Sequence, residues 1–342
     1  MPSVSIIIPC YNEQDTICKL LEAIYAQTFP RIHLEVVIAD GLSTDGTRSQ
    51  IELFSNSHPN LHIAVVDNIP RSIPMALNCA LKESKGEIIV RLDAHSMPYP
   101  DYIERCVADL QAGLGENVGG IWEIRPGAQS WVAQSIALAA AHPLGVGDAL
   151  YRHADKAALV DTVPFGAFKR EMLALIGFYD ESLLTNEDYE FNARIRKSGG
   201  KVWLNPFIRS VYFARPTLAL LAKQYARYGY WKWRMLRRYP ETLRWRQGLP
   251  PLFALSLIGG IRVARLMIGA TVMWYATLLV FAQMQTVPAA IACLMLAGFA
   301  QSLCMISIAV ILMRAASEHF RGRVMGIRMV HVVGKIVGHA FR

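Results

Sequence analysis

Apolar runs alternate with segments of helical spacing through the first hundred residues. Four runs rich in β-branched residues predict buried strands, and they are Val4–Pro9, Leu34–Asp40, Leu61–Val66 and Glu87–Leu92. Three segments between them carry apolar residues at helical spacing, namely 12–26, 48–54 and 72–84. Such alternation predicts an α/β, Rossmann-like fold with a mostly parallel central sheet and helices on both faces.

The pattern is less regular from 115 to 215. Strands are predicted in GGIWEIRPG, at Thr162–Lys169 and in KVWLNP, and a helix is predicted at Ser130–Ala141. A second helix is expected at Glu187–Ser198, because Gly199-Gly200 can cap its carboxyl end.

The last third of the chain changes character. Aromatic and basic residues are mixed around Thr217–Tyr239, which favours a helix lying at a membrane surface over a domain helix with snorkelling arginines. Two uncharged runs follow, at about 266–284 and 287–313, each long enough to span a bilayer of about 30 Å. The predicted parts are therefore an α/β domain at 1–216, an interfacial region at 217–250 and a membrane anchor at 251–342.

Charge is concentrated beside the apolar segments. The net charge is +8, and Lys223–Arg246 alone holds eight Lys/Arg against Glu241, while Arg314–Arg342 holds six against Glu318. Basic residues flanking apolar runs indicate anionic lipid and a hairpin with both ends in the cytoplasm, so no nucleic-acid partner is expected.

The six cysteines show no CxxC spacing, which argues against a zinc site or a disulfide framework. No leader peptide is recognisable, so the N-terminal domain is expected to be cytoplasmic.

Polar residues follow the ends of the predicted strands. Asn12, Asp40 and Asp93 all lie at or just after those ends, where open α/β sheets bind ligands. Asp93 and His95 are two positions apart, so on extended backbone they point to the same side. A carboxylate and an imidazole suit a divalent metal such as Mn²⁺, although a solvated strand end is the simpler alternative.

Four motifs in order resemble the family 2 glycosyltransferases of the GT-A fold: VSIIIPCYNE, VVIADGLSTDGT, RLDAHS and TNEDYEFNARIRKSGG. Within that family the chain is most similar to exopolysaccharide glucosyltransferases of the succinoglycan type. The resemblance implies an inverting, metal-dependent transfer of a sugar, expected to be glucose from UDP-glucose, to a lipid-linked oligosaccharide in polysaccharide biosynthesis. Two alternatives stay open: a polyprenyl-phosphate monosaccharide synthase, and a non-catalytic membrane partner that keeps the fold.

The resemblance also assigns roles to residues. It makes Asp188, beside Glu187, the general base, and makes Asp93 and His95 the ligands of Mn²⁺ or Mg²⁺. It implies that the nucleotide sugar contacts Pro9, Tyr11, Asn12, Glu13, Asp40, Asp93, Gln224 and Arg227.

Two positions depart from the family pattern. Gly41 follows Asp40 where a second acid is common, and Tyr228 replaces the tryptophan of the Gln-x-x-Arg-Trp motif that begins at Gln224.

The C-terminal tail departs further from the family. Its segment RAASEHFRGRVMG resembles a loop of major-facilitator transporters. Two or three spans cannot form a transport path, so the tail is expected to be a membrane anchor. The chain is therefore expected to be a multi-pass protein of the inner (plasma) membrane with its catalytic domain in the cytoplasm.

Overall fold

The computed structural model describes residues 1–143, 149–239 and 263–315. The chain divides into two compact units, Met1–Leu243 and Arg244–Arg342. The end of the predicted interfacial region and most of the transporter-like segment lie outside the described residues.

The first unit contains all the described strands. They are β1 (Val4–Cys10), β2 (Leu34–Asp40), β3 (His62–Asp67), β4 (Ile88–Arg91), β5 (Met97–Pro98), β6 (Asn117–Pro126), β7 (Ala158–Leu159), β8 (Ala167–Lys169) and β9 (Val202–Ala214). Its α-helices, within the described residues, are α1 (Ile17–Tyr25), α2 (Thr47–Ser57), α3 (Ile73–Glu83), α4 (Tyr102–Gln111), α5 (Trp131–Ala141), α6 (Met172–Ile176), α7 (Glu187–Lys197) and α8 (Leu218–Leu236). Short 3₁₀ turns lie at Arg31–His33 and Leu150–Arg152.

These strands form a single sheet in the order β3-β2-β1-β4-β8-β6-β9-β5, with β7 also paired to β9. The first four strands are parallel, which confirms the predicted α/β fold. β8 is antiparallel to both β4 and β6, so the whole sheet is mixed. The predicted strand at Thr162–Lys169 is correct only over its last three residues, because Phe165 and Gly166 adopt positive φ angles of 63° and 84° and turn the backbone.

Alternating side chains of β1 enter two separate cores. Ile6 and Ile8 pack on the face that carries Leu20 of α1, whereas Ile7 packs on the opposite face with Leu77 of α3. All five side chains are fully buried. Burying such a side chain contributes about 1.5–3 kcal/mol. A strand that is buried on both faces explains the continuous apolar run, and its carboxyl end emerges at the edge where the candidate site lies.

The second unit contains α9 (Val263–Phe281) and α10 (Val287–Ala315). The two helices contact each other, and Thr271 Oγ1 lies 3.1 Å from Cys304 Sγ. Among the described helices, α10 alone is long and apolar enough to cross a membrane, over Val287–Ile306. The apolar part of α9, Met267–Phe281, is shorter, so one of the two predicted spans meets the requirement.

Candidate active site

A buried arginine holds three carboxylates at the end of β4. The side chain of Arg91 is 3% exposed. Its Nη1 contacts Asp188, and its Nη2 donates to Glu187 Oε1 at 2.9 Å and to Asp93 Oδ1 at 3.0 Å. A planar guanidinium presents a fixed fork of donors, so it can fix several carboxylates at once. Asp93 and the acidic pair are thereby held on one cation.

The acidic pair is placed by the start of α7. The residue before the helix, Asn186, is left-handed with φ 68°, and Glu187 and Asp188 then form the first turn. Negative side chains are favoured there by the partial positive charge of a helix N-terminus. Glu187 is 9% exposed and Asp188 is 23% exposed, so Asp188 is the more accessible of the two.

The environment of Asp188 favours a protonatable carboxyl. Burial raises the pKa of Asp188 to about 7; the Arg91 guanidinium opposes this rise, and the negative charges of Glu187 and Asp93 add to it. A general base works best with a pKa near the working pH. The expected role of Asp188 as a base therefore agrees with its surroundings.

A second carboxylate orients His95. Glu13 Oε1 lies 3.2 Å from His95 Nδ1, and Thr16 Oγ1 donates to the other oxygen of Glu13 at 2.5 Å. The hydrogen bond to Glu13 raises the pKa of His95. With Nδ1 engaged by a carboxylate, Nε2 is the ring nitrogen left to bind a ligand. Glu13 therefore holds the imidazole, and its expected contact with the nucleotide stays a prediction.

The fit of a divalent metal follows from these donors. No group of three or more His, Cys, Asp or Glu side chains gathers as a metal centre within 1–143, 149–239 and 263–315. Asp93 and His95 can supply two ligands, and a carboxylate behind a histidine is a common arrangement around bound metals. Mg²⁺ commonly keeps several waters and binds one or two carboxylates together with substrate phosphates. The residues present fit an ion that is completed by a diphosphate.

The loops after β1 and β2 are tied together by Asn12. Its backbone N–H donates to Ser43 Oγ at 2.8 Å, and its side-chain oxygen accepts from the N–H of Thr44 at 2.9 Å. Asp40 is fully buried and accepts from the Ser43 N–H at 3.0 Å and from Arg48 Nε at 2.5 Å. Both predicted nucleotide contacts thus shape the loop through local hydrogen bonds, and their contact with a base or ribose stays a prediction.

The ring of Tyr11 packs against Gly41, the position where a second acid is common. A side chain at position 41 would place its Cβ 3.0 Å from Tyr11 Cδ2, so the ring would have to shift by a few tenths of an ångström. Tyr11 is 43% exposed, and the Arg71 guanidinium lies 5.4 Å from its ring centre. Pro9, two positions earlier, is half-buried near the end of β1. The exposed ring and its cation make a surface suited to a flat nucleobase and a phosphate.

Gln224 and Arg227, both on α8, form hydrogen bonds with different parts of the first unit. Gln224 Nε2 donates to the hydroxyls of Tyr212 at 3.1 Å and Tyr228 at 2.9 Å. Arg227 donates from Nε to Thr185 Oγ1 at 2.8 Å and from Nη2 to the Leu184 carbonyl at 3.1 Å. The motif on α8 therefore braces the turn that leads into Glu187 and Asp188.

The contacts of the predicted residues thus form several local groups rather than one. The groups are Asp93 with Glu187 and Asp188, Glu13 with His95, Asn12 with the loop after Asp40, Tyr11 with its neighbouring cation, and Gln224 with Arg227 on α8. Two further residues join them that the sequence argument did not name, Arg91 and Arg71. The sequence could have indicated a role for Arg91, because a charged residue inside a buried strand needs partners of opposite charge. The sequence around Arg71 gives no comparable indication, because its left-handed φ of 56° and its position over the Tyr11 ring are seen only in the structure.

Comparison with known proteins defines the class. The model of glycosyl transferase family 2 matches residues 5–176. The chain belongs to this family.

Two curated relatives are each 30% identical. One is the dolichyl N-acetyl-alpha-D-glucosaminyl phosphate 3-beta-D-2,3-diacetamido-2,3-dideoxy-beta-D-glucuronosyltransferase of Methanococcus voltae, matched over 251 residues, 72% of this chain and 77% of the relative. The other is the succinoglycan biosynthesis protein ExoA of Rhizobium meliloti (strain 1021), matched over 258 residues, 75% of this chain and 77% of the relative.

A solved structure shares the fold. The mannosyltransferase PcManGT of Pyrobaculum calidifontis, in complex with GDP-Man and Mn²⁺, superposes with a TM-score of 0.57 at 24% identity, covering 90% of this chain and 84% of that chain. The predicted GT-A fold and the predicted family are therefore confirmed, and the chain is a glycosyltransferase.

Proposed function

We propose that the protein is an inverting, metal-dependent glycosyltransferase that moves a sugar from a nucleotide-sugar donor to a lipid-linked acceptor. One observation carries this proposal: Arg91 holds the candidate base Asp188 and the diphosphate-side carboxylate Asp93 on the same guanidinium. A proton acceptor and a leaving-group site are thereby fixed relative to each other, and such positioning lowers the barrier of a displacement.

The reaction is a single displacement. Asp188 takes the proton of an acceptor hydroxyl while that oxygen bonds to the anomeric carbon, and the nucleoside diphosphate leaves with the bonding electrons of the broken C–O bond. Bound Mn²⁺ or Mg²⁺, held by Asp93 and His95, would offset the charge on the departing diphosphate. Glu187 is nearly buried and paired with Arg91, so it is a poor nucleophile for a two-step route. The product is therefore expected to have the anomeric configuration opposite to that of the donor.

The names of the relatives support a class of acceptor. The archaeal relative acts on a dolichyl-phosphate-linked sugar and the bacterial one belongs to succinoglycan synthesis, as their names state. We infer a lipid-linked saccharide as acceptor in polysaccharide biosynthesis, with UDP-glucose as donor. The exposed ring of Tyr11 beside Arg71 suits a uracil and its diphosphate.

Membrane association suits such an acceptor. We assign the span to Val287–Ile306 of α10, and we assign a position at the headgroup level to α8, whose aromatic and basic side chains are exposed along most of its length. Both assignments would keep the first unit close to a lipid substrate. Anchoring at the inner membrane with a cytoplasmic catalytic unit is the corresponding localisation.

The pH profile gives a first test of the base. Because Asp188 must be ionised to accept a proton and burial raises its pKa to about 7, activity is present above that pH. We expect kcat/KM to fall about tenfold per pH unit below about 7. UDP affinity measured over the same range separates this loss from weaker donor binding. A profile that stays flat down to pH 5 would mean that the Arg91 charge keeps Asp188 ionised and that no base titrates near neutrality.

Metal-dependent nucleotide binding tests the other half of the site. Calorimetry on detergent-solubilised full-length protein should detect UDP binding that requires Mn²⁺. Asp93→Ala should weaken it at least about tenfold, since one metal ligand is lost. Asp101→Ala, at an exposed carboxylate paired with Arg105, is the matched control and should bind as the wild type does. Binding without Mn²⁺ that Asp93→Ala leaves unchanged would remove the ion from the mechanism.

A further inference from the structure

A cavity of about 160 Å³ lies beside the carboxyl end of α8 and is lined by Leu183, Arg234, Arg237 and Arg238. A cavity of this size has room for several water molecules, and so for a phosphate or diphosphate group. Three of its four lining residues are cationic. The nucleotide and metal residues described above do not line it.

Among the described residues, a carboxylate pairs with only one of these three arginines. Arg238 pairs with Asp180 and also donates to Ser182 Oγ at 2.8 Å. Over the described parts of the chain, Arg234 and Arg237 form no ion pair, and their guanidiniums instead lie over the rings of Trp231 and Trp233, at 5.0 Å and 5.3 Å from the ring centres. A guanidinium stacked on an aromatic face still presents its N–H edges, so two sets of donors remain for an anion.

The chemistry of the surroundings points to a lipid source for that anion. Trp233 is 60% exposed and Tyr230 is 57% exposed on the same helix, and Leu183 supplies an apolar wall to the cavity. Exposed tryptophan and tyrosine beside arginines are typical of a surface at the level of lipid headgroups. Arginine is also the residue best matched to the geometry of phosphate oxygens.

The cavity is connected to the candidate base through one short segment. Arg238 donates hydrogen bonds to Asp180 and Ser182, and Arg227 donates one to the Leu184 carbonyl. Leu183, between them, lines the cavity. The base Asp188 follows five positions after Leu183. A phosphate bound among the arginines therefore lies against the segment that leads to the base.

We propose that this arginine pocket binds a phosphate or diphosphate group carried by a lipid. If that lipid is the acceptor, the pocket holds its head while the sugar hydroxyl reaches Asp188, and this reading rests on the proposed function. If the lipid is a membrane phospholipid, the pocket fixes α8 at the bilayer surface. The chemistry is the same in both cases, and the source is decided by experiment.

The test uses full-length protein in detergent and two probes, geranylgeranyl diphosphate and vesicles of phosphatidylcholine with or without phosphatidylglycerol. The double variant Arg234→Gln/Arg237→Gln removes the two guanidiniums that have no carboxylate partner among the described residues. We expect it to weaken binding of at least one probe about tenfold or more, because charge-assisted hydrogen bonds are lost. Arg105→Gln removes an exposed arginine from α4 and is the matched control. UDP affinity should be unchanged in all variants, which shows that they are folded.

Each result decides the matter. Loss of geranylgeranyl diphosphate binding supports an acceptor-type diphosphate, and loss of binding to the phosphatidylglycerol vesicles supports a phospholipid head. Unchanged binding of both probes, or an equal loss in Arg105→Gln, overturns the pocket. The proposed function can fail separately. If the wild type transfers no sugar while its binding of geranylgeranyl diphosphate depends on the two arginines, the pocket is supported and the proposed transfer is contradicted.

Discussion

Replacing Asp188 with asparagine is expected to lower the turnover number about 10³-fold, the loss typical of removing a general base. Asparagine has nearly the same shape and can still face Arg91, but its amide cannot accept a proton at neutral pH. Donor binding should therefore be kept while the chemical step is lost. The measurement is single-turnover transfer from a radiolabelled donor, together with UDP affinity on the same sample.

Asp101→Asn provides the control for that substitution. It makes the same chemical change at an exposed carboxylate just before α4, so its turnover should match the wild type within about twofold. If Asp188→Asn retained full turnover, another group would have to accept the proton. If it lost UDP binding together with turnover, the carboxylate would be shaping the donor site instead.

Arg91→Gln is expected to be the most destabilising single change in the site. It leaves Asp93, Glu187 and Asp188 close together without their shared cation, and breaking a buried ion pair costs about 3–5 kcal/mol. The melting temperature of the solubilised protein should fall on the order of 10 °C. Arg91→Lys keeps the charge but not the fork, so its loss should be smaller.

The pH dependence separates this cause from simple loss of packing. Without the arginine, nothing opposes the burial and the neighbouring negative charges that raise the pKa of Asp188 above its unfolded value. The deficit relative to the wild type is then largest above that folded-state pKa, and it shrinks as pH falls through it and Asp188 becomes neutral. Arg105→Gln, at a surface pair, should cost less than about 1 kcal/mol at every pH. A deficit in Arg91→Gln that is equal at pH 5 and pH 8 would contradict the electrostatic account.

The sequence could predict what depends on local pattern. The apolar run of β1 predicts a buried strand, and Ile6, Ile7 and Ile8 are indeed all buried. Glu187 and Asp188 predict the start of a helix, because acidic side chains are favoured there. The insertion of β8 antiparallel between β4 and β6 could not be read in the same way. It depends on pairing Ile88 with Lys169, a contact between distant parts of the chain.

The arrangement of the site was only partly predictable for the same reason. The order of the motifs placed Asp93 and Asp188 in one site, but the guanidinium that joins them belongs to Arg91, which lies 97 positions before Asp188. Two of the predicted nucleotide contacts also have internal partners, since Asn12 holds the Ser43–Thr44 loop and Glu13 holds His95. Their contacts with a nucleotide stay predictions. Such competition between ligand contacts and internal partners is decided by geometry and not by residue type.

The most direct test is sugar transfer itself. Full-length protein would be incubated with Mn²⁺, a panel of UDP- and GDP-sugars, and either a polyprenyl-diphosphate-linked saccharide or a polyprenyl phosphate, with products identified by mass spectrometry of the lipid fraction. We expect the lipid-linked saccharide to gain one sugar, free nucleoside diphosphate to appear in equal amount, and Asp188→Asn to form neither product. Sugar appearing only on polyprenyl phosphate would indicate a monosaccharide synthase, and no transfer from any donor by folded protein would contradict the account.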